Sequence, residues 1–354
     1  MRLIKLFLFI MLIGILTACG GQQAPAEIEA EQLAAEPTVA PATEPAAAPE
    51  TNSAEATFPV TITHKFGETV IPAAPERIVA IGFTDQDALL ALGIEPVAIR
   101  YWYGDETNAV FPWAQDEAGG AVPAVLNMAW GELNLEAILE LQPDVIIGVS
   151  SGITQDEYDQ LSQIAPTIAQ SGDYIDFGMP WEGTTQMIGD SVGRPAEATA
   201  LIEAVGAKFE AARAANPDFA GKSIAVAYAL GDGNYGYYTD QDGRARFFTD
   251  LGFVVPEELI EIAGDSFYAS LSQEQLSLLD RDVIVFLGLQ FAENGRESID
   301  SDPLIQQLNA YKEGRIVYVP LEYDDALQFG TVLSLEYALE GLLPELQAAV
   351  NAGG

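Results

Sequence analysis

Apolar residues at Ala198, Leu201, Ile202, Val205, Phe209 and Ala212 recur with a helical period between Pro195, suited to a first helical position, and the stop at Asn216-Pro217. The spacing predicts one helix over 195–216, about 30 Å long and able to cross the face of a small domain. On either side of it, short apolar runs ending in Gly, Ser or Asp alternate with amphipathic segments. The runs 78–81, 97–99 and 144–149 before the helix, and 223–230, 282–287 and 315–319 after it, have the length of strands buried on both faces. Between them the pattern predicts helices through Ala88, Leu89 and Leu92, over 134–141 and 181–192, and over 244–251. Further helices are expected from Ser272, over 300–311, and over 331–349 with Pro344 as a break or kink. Strand–helix alternation in both halves predicts an α/β fold of two Rossmann-like lobes, over 58–194 and 217–354. Their sheets are mostly parallel, and the single long backbone helix 195–216 joins them. In such sheets the binding loops lie beyond the carboxyl ends of the strands.

The first segment is a processing signal rather than fold. Arg2 and Lys5 precede an apolar run over 6–16 that is too short and wrongly flanked for a membrane span. Leu16-Thr17-Ala18-Cys19-Gly20 follows and is similar to a bacterial lipoprotein box, which implies lipidation of Cys19 as the first mature residue. Residues 20–57 are almost entirely Ala, Pro, Glu, Thr and Gln, without one Lys or Arg. They lack the apolar residues for a core and predict a disordered acidic tether.

Composition narrows the chemistry. The formal net charge of −38 argues against nucleic acid and against adsorption to anionic lipid. Cys19 is the only cysteine, so the body has neither a disulfide nor a thiol nucleophile; His64 is the only histidine, so sites built from several imidazoles are excluded. His64, ahead of a turn at Phe66-Gly67-Glu68, is expected to be an exposed strand-end residue, with haem ligation as the alternative. No nucleophile elbow, phosphate loop or dinucleotide fingerprint is present, and the chain is read as a non-enzyme without catalytic residues.

His64-Lys65-Phe66-Gly67-Glu68, Ile71-Pro72 and Pro75-Glu76-Arg77-Ile78-Val79 resemble the mature start of iron–siderophore substrate-binding lipoproteins of ABC importers. Asp87-Ala88-Leu89-Leu90-Ala91-Leu92-Gly93 and Asn134-Leu135-Glu136-Ala137-Ile138, continuing to Gln142-Pro143-Asp144, resemble later segments of the same family. The likeness extends over about 60–350. It implies a monomer anchored through Cys19 to the outer face of the cytoplasmic membrane, at the cell surface or in the periplasm. There it would capture a ferric siderophore between its lobes and deliver it to a permease driven by a cytoplasmic ATPase. The linking helix would permit only small lobe movements. The resemblance also implies that Glu136 and Glu274, each in a first helical turn, dock against permease arginines; helix-terminal stabilisation alone is the plainer reading of both.

A preassembled ferric chelate fills the iron's coordination sphere, so its site needs flat apolar surfaces and hydrogen-bond donors but no permanent cofactor and no protein metal ligands. Aromatics placed just past strand ends supply such surfaces: Tyr101, Trp102 and Tyr103 in the first half, Tyr235, Tyr237 and Tyr238 in the second, with Trp113 and Trp130 in a long first-lobe loop. Basic residues are scarce, and Arg100, Arg244 and Arg246 near strand ends are candidates for an anionic complex. If they pair instead with nearby acids, a neutral or cationic hydroxamate complex fits better. Arg77 and Arg315, at strand starts, are expected to be structural. Cobalamin in the same architecture, haem, or a surface lipoprotein without a transport role are the alternative functions.

Overall fold

The computed structural model describes residues 57–104, 109–120, 122–128, 132–231 and 233–353. The leader, Cys19, nearly all of the tether, and Trp130 therefore lie outside the described residues.

The first lobe opens with an antiparallel hairpin, β1 (Val60–His64) and β2 (Gly67–Ile71), joined by a two-residue turn at Lys65-Phe66. Burial of His64 pins the hairpin to the lobe: its Nε2 lies 2.9 Å from Thr69 Oγ1, which also donates to the Thr167 carbonyl, and its Nδ1 accepts from the Phe66 amide. The expected exposed histidine is thus a buried one, and desolvation lowers its pKa. Next come β3 (Ile78–Ala80), α1 (Asp85–Ala91), β4 (Ala98–Arg100), α2 (Gln115–Ala118), β5 (Ala124–Leu126), α3 (Leu135–Glu140), β6 (Val145–Gly148), α4 (Gln155–Leu161) and β7 (Thr167–Ala169). They form an all-parallel sheet in the order β5-β4-β3-β6-β7, the arrangement expected from its buried apolar runs. Side chains set the helix starts, with Asn134 accepting from the Ala137 amide and Thr154 forming a capping box with Glu157.

Helix α5 (Trp181–Ser191) leads into α6 (Pro195–Ala215), the linking helix. The two cross closely: a Cβ on Gly189 would fall 2.3 Å from the Cβ of Ala198. The ends of α6 are fastened to different lobes. Arg194, ahead of it, donates to the Leu92 carbonyl at 2.9 Å; Asn216, behind it, accepts from Gln347 Nε2 at 2.7 Å. Its buried Val205 and Phe209 each contribute roughly 1.5–3 kcal/mol of burial.

The second lobe comprises β8 (Ile224–Gly231), β9 (Asn234–Tyr238), α7 (Gly243–Asp250), α8 (Glu257–Ala263), β10 (Tyr268–Leu271), β11 (Val283–Leu287), α9 (Arg296–Asp300), α10 (Asn309–Lys312), β12 (Ile316–Tyr318), α11 (Leu321–Phe329) and α12 (Ser334–Ala352). Gln347 lies on α12, which runs through Pro344 as one helix. Its sheet, in the order β10-β9-β8-β11-β12, is mixed: β8, β11 and β12 are parallel, whereas β9 and β10 run antiparallel to their neighbours. The expected post-strand loop carrying Tyr235, Tyr237 and Tyr238 is in fact the returning strand of a hairpin. The segment expected as one helix over 300–311 is broken at Pro303, and the segment after Ser272 is a 3-10 helix, Gln273–Leu279.

Candidate functional site

Strand β3 ends into Phe83 and β4 into Arg100, which places both side chains above the carboxyl edge of the first sheet. Arg100 is buried, with its guanidinium 4.3 Å from the centre of the Phe83 ring and 3.4 Å from the Met128 carbonyl oxygen. Burial lowers its pKa, and the Glu157 charge works against that shift. The Phe83 ring continues outward to Trp102 at 5.5 Å and to Phe177 at 6.3 Å. Trp102, 38% exposed, and Phe177, 47% exposed, are the parts of this wall open to solvent.

The second lobe offers a matching surface built on β8 and β9. Tyr228 pairs in register with Gly236, and a Cβ at Gly236 would meet the Tyr228 ring at 2.2 Å. Glycine there lets the Tyr228 ring lie across the strand and stack on Tyr238 at 4.8 Å. Arg244 covers the Tyr238 ring at 3.8 Å. Its guanidinium is held by both oxygens of Asp242, at 2.8 and 2.7 Å, and by Gln328 Oε1 at 2.7 Å. Asp242 also caps α7 by accepting from the Arg244 amide. Desolvation would lower the Arg244 pKa, but Asp242 raises it further. Burial, partly offset by the Arg244 charge, pushes the Tyr238 hydroxyl up to about 12.

The first-lobe surface reaches the second lobe at Phe329, at the end of α11 and next to Gln328, which accepts from Arg244. Its ring lies 5.4 Å from Trp102, 4.5 Å from Phe111 and 5.1 Å from Trp113. Beneath them Asp87 Oδ2 accepts from Trp113 Nε1 at 2.8 Å and from Thr331 Oγ1 at 2.6 Å, a buried link between α1 and the segment joining α11 to α12. Desolvation raises the Asp87 carboxyl to about 6, against the lowering effect of those two donors. The Tyr103 hydroxyl lies beside Asp325 without hydrogen-bond geometry to it, and it senses the charges of Asp324 and Arg244. Asp325 is also raised to about 6, by burial and by the neighbouring Asp324.

Of the residues expected from the sequence, Arg100, Trp102, Tyr103, Tyr238 and Arg244 are brought to this junction. Tyr101 stays at the loop, donating to the Gly104 carbonyl. Trp113 lies inside the lobe contact rather than on an open loop. Tyr235 and Tyr237 are corrections: alternation along β9 turns both into the second-lobe core, where their hydroxyls donate to Asp302 and to the Leu259 carbonyl. Arg246 donates to the Gln241 carbonyl and faces Asp250 instead of Tyr238. Arg77 and Arg315 bind carbonyls at strand starts, of Leu141 and Gln142 in one lobe and of Arg281 and Asp282 in the other. Glu136 and Glu274 are exposed in the first turns of their helices.

Sequence reasoning missed Phe83, Tyr228, Asp324, Asp325, Gln328 and Phe329. Pro320 followed by Leu321-Glu322 was the available signal for α11, since proline sets up a helix start and an early acid favours it. A separate concavity of about 510 Å³ lies on the first lobe, lined by residues that include Lys65, Phe66, Thr154, Gln170 and Tyr174. Among the described residues no group of three or more His, Cys, Asp or Glu side chains is arranged to hold a metal ion.

A family model described as periplasmic binding protein matches residues 78–323. The chain is 30% identical over 270 residues to the "Probable siderophore-binding lipoprotein YfiY" of Bacillus subtilis, an alignment covering 72% of this chain and 78% of that protein. It is also similar to a periplasmic solute binding protein of Mycobacterium smegmatis, with a TM-score of 0.73, 33% identity, and coverage of 82% of this chain and 98% of that one. The PiaA protein of Streptococcus pneumoniae in complex with ferrichrome superposes with a TM-score of 0.69 at 29% identity, covering 82% of this chain and 99% of that one.

Proposed function

The chain belongs to the periplasmic binding protein family, and from that premise we propose that it captures a ferric siderophore between its lobes and passes it to an ABC importer. Its work is binding, outside the cytoplasm, rather than catalysis. The observation that carries the site assignment is one aromatic surface on each lobe, each beside a guanidinium: Phe83 and Trp102 over Arg100, and Tyr228 and Tyr238 under Arg244. Both stand at strand edges where α/β sheets hold ligands. Flat rings give area to the organic scaffold of a chelate, and the phenol and guanidinium groups offer donors to its iron-binding oxygens.

The long helix, fastened at one end to Leu92 and at the other to Gln347, supports small rather than wide lobe movement on capture. Anchoring through a lipid on Cys19, a monomeric state, and docking of Glu136 and Glu274 on permease arginines complete the proposal. Exposure of both glutamates supports the docking role, because a surface carboxylate attracts and orients a basic partner without being needed for the fold.

Titration of intrinsic tryptophan fluorescence with ferric hydroxamate, catecholate and citrate complexes tests the reading, with cobalamin and haem as controls. Saturable submicromolar quenching by a ferric complex is expected. Saturation by cobalamin with no response to any iron complex would replace the assignment.

A further inference from the structure

The charge of the site selects among ferric chelates. Arg244, the basic group of the second-lobe wall, is already engaged on three sides, by Asp242, Gln328 and the Tyr238 ring. Two further carboxylates follow on α11, Asp324 in electrostatic range of Arg244 and Asp325 beside Asp324. Asp324 is fully buried; its Oδ2 accepts from the Gly288 amide at 3.2 Å and from Gln290 Nε2 at 2.7 Å, while its Oδ1 has no hydrogen-bond partner among the described residues. Asp325 faces Tyr103 across the lobe contact. One guanidinium is therefore set against three carboxylates in that wall. In the first lobe Arg100 lies under Phe83 with Glu157 in electrostatic range, and fully buried Asp85 near the same edge keeps an unpartnered Oδ2.

Resting on the siderophore reading above, we propose that this site takes a ferric complex of neutral or positive net charge, a ferric trihydroxamate, and discriminates against strongly anionic tris-catecholate and citrate complexes. A trihydroxamate neutralises Fe(III), whereas three catecholates leave a large negative charge. In a partly dry cleft an excess of carboxylates repels such an anion far more than at an open surface.

Equilibrium titration of the full chain with three probes tests this: a cationic and a neutral ferric trihydroxamate, and a ferric tris-catecholate. At about 0.15 M salt, where charges are screened over about 8 Å, the trihydroxamates are expected to bind at least about a hundredfold tighter. Raising the salt should strengthen tris-catecholate binding and leave the neutral complex unchanged. Asp325→Asn should narrow the gap by at least about threefold. Should that variant fail to fold, the salt series on the unaltered protein decides alone. Tris-catecholate binding as tight as trihydroxamate overturns the charge selection and leaves siderophore capture standing. Absence of binding by every ferric complex overturns siderophore capture itself.

Discussion

Asp87 accepts a 2.6 Å hydrogen bond from Thr331, although 244 positions separate them and they belong to different lobes. The same carboxylate oxygen receives Trp113 Nε1, so one buried charge holds an N-terminal helix, a first-lobe loop and the start of the last helix together. Thr331 Oγ1 in turn accepts from the Ser334 amide at 3.1 Å. Replacing it by an isosteric hydrocarbon removes both interactions without opening a cavity. Thr331→Val is expected to lower the unfolding free energy by about 1.5–3 kcal/mol at pH 7, measured by urea denaturation, and Thr331→Ser to recover most of it. Equal stability of all three would mean that the lobes do not depend on this contact.

Asp85 gives a pH signature. Its Oδ1 accepts from the Ser150 amide at 2.9 Å, but full burial raises its carboxyl from 3.8 to about 6. The folded state then binds the proton more tightly than the unfolded chain, so this residue's contribution is most favourable below the unfolded value. It is lost as pH rises through 6. Asn cannot ionise. The stability of Asp85→Asn relative to the unaltered protein should therefore rise by up to roughly 2–3 kcal/mol between pH 4 and pH 8. A difference that stays flat with pH would place the Asp85 pKa near its ordinary value.

Gly236 makes room for the Tyr228 ring. With a methyl group at 2.2 Å from that ring, Tyr228 must swing away and leave its stack on Tyr238. Gly236→Ala is expected to change stability little, because the ring moves from a half-open face. Affinity for the ferric complex should fall by about fivefold to tenfold, the worth of one aromatic contact. Titration of the folded variant reads this; undiminished affinity would remove Tyr228 from the site.

Charge reversal at Glu136 and Glu274 separates docking from capture. Both side chains are exposed. Glu136→Lys together with Glu274→Lys is expected to reduce uptake into cells by about tenfold or more while the ferric-complex affinity of the purified protein stays within about twofold. Loss of affinity instead would tie these residues to the pocket or the fold.

Much of the architecture was legible because burial leaves simple marks. Continuous apolar runs at 78–81 and 144–149 gave parallel strands, and the 3.6 rhythm after Pro195 gave α6 within a residue of its observed end. The second-lobe hairpin was not legible in the same way. Asn234-Tyr235-Gly236-Tyr237-Tyr238 follows a Gly-rich turn and resembles loop chemistry, yet its period-two alternation, with Tyr235 and Tyr237 inward and Tyr238 outward, is that of a strand. The acid-rich half of the site was hidden for a different reason. Asp324 and Asp325 are two among 53 acidic residues, and only packing distinguishes them from a solvated surface. Phe329 was unread because its partners, Phe111 and Trp113, lie more than two hundred residues away; no local periodicity records a contact between lobes.

Iron itself is the most direct probe of where the chelate sits. Crystals grown with a ferric trihydroxamate and measured at the iron absorption edge locate the metal independently of any assumption about its ligand. The anomalous peak is expected between the Trp102 and Tyr238 rings, within a few ångströms of the Arg244 guanidinium. A peak in the Lys65–Tyr174 concavity of the first lobe, or anywhere outside the space between the lobes, would contradict capture between two aromatic walls.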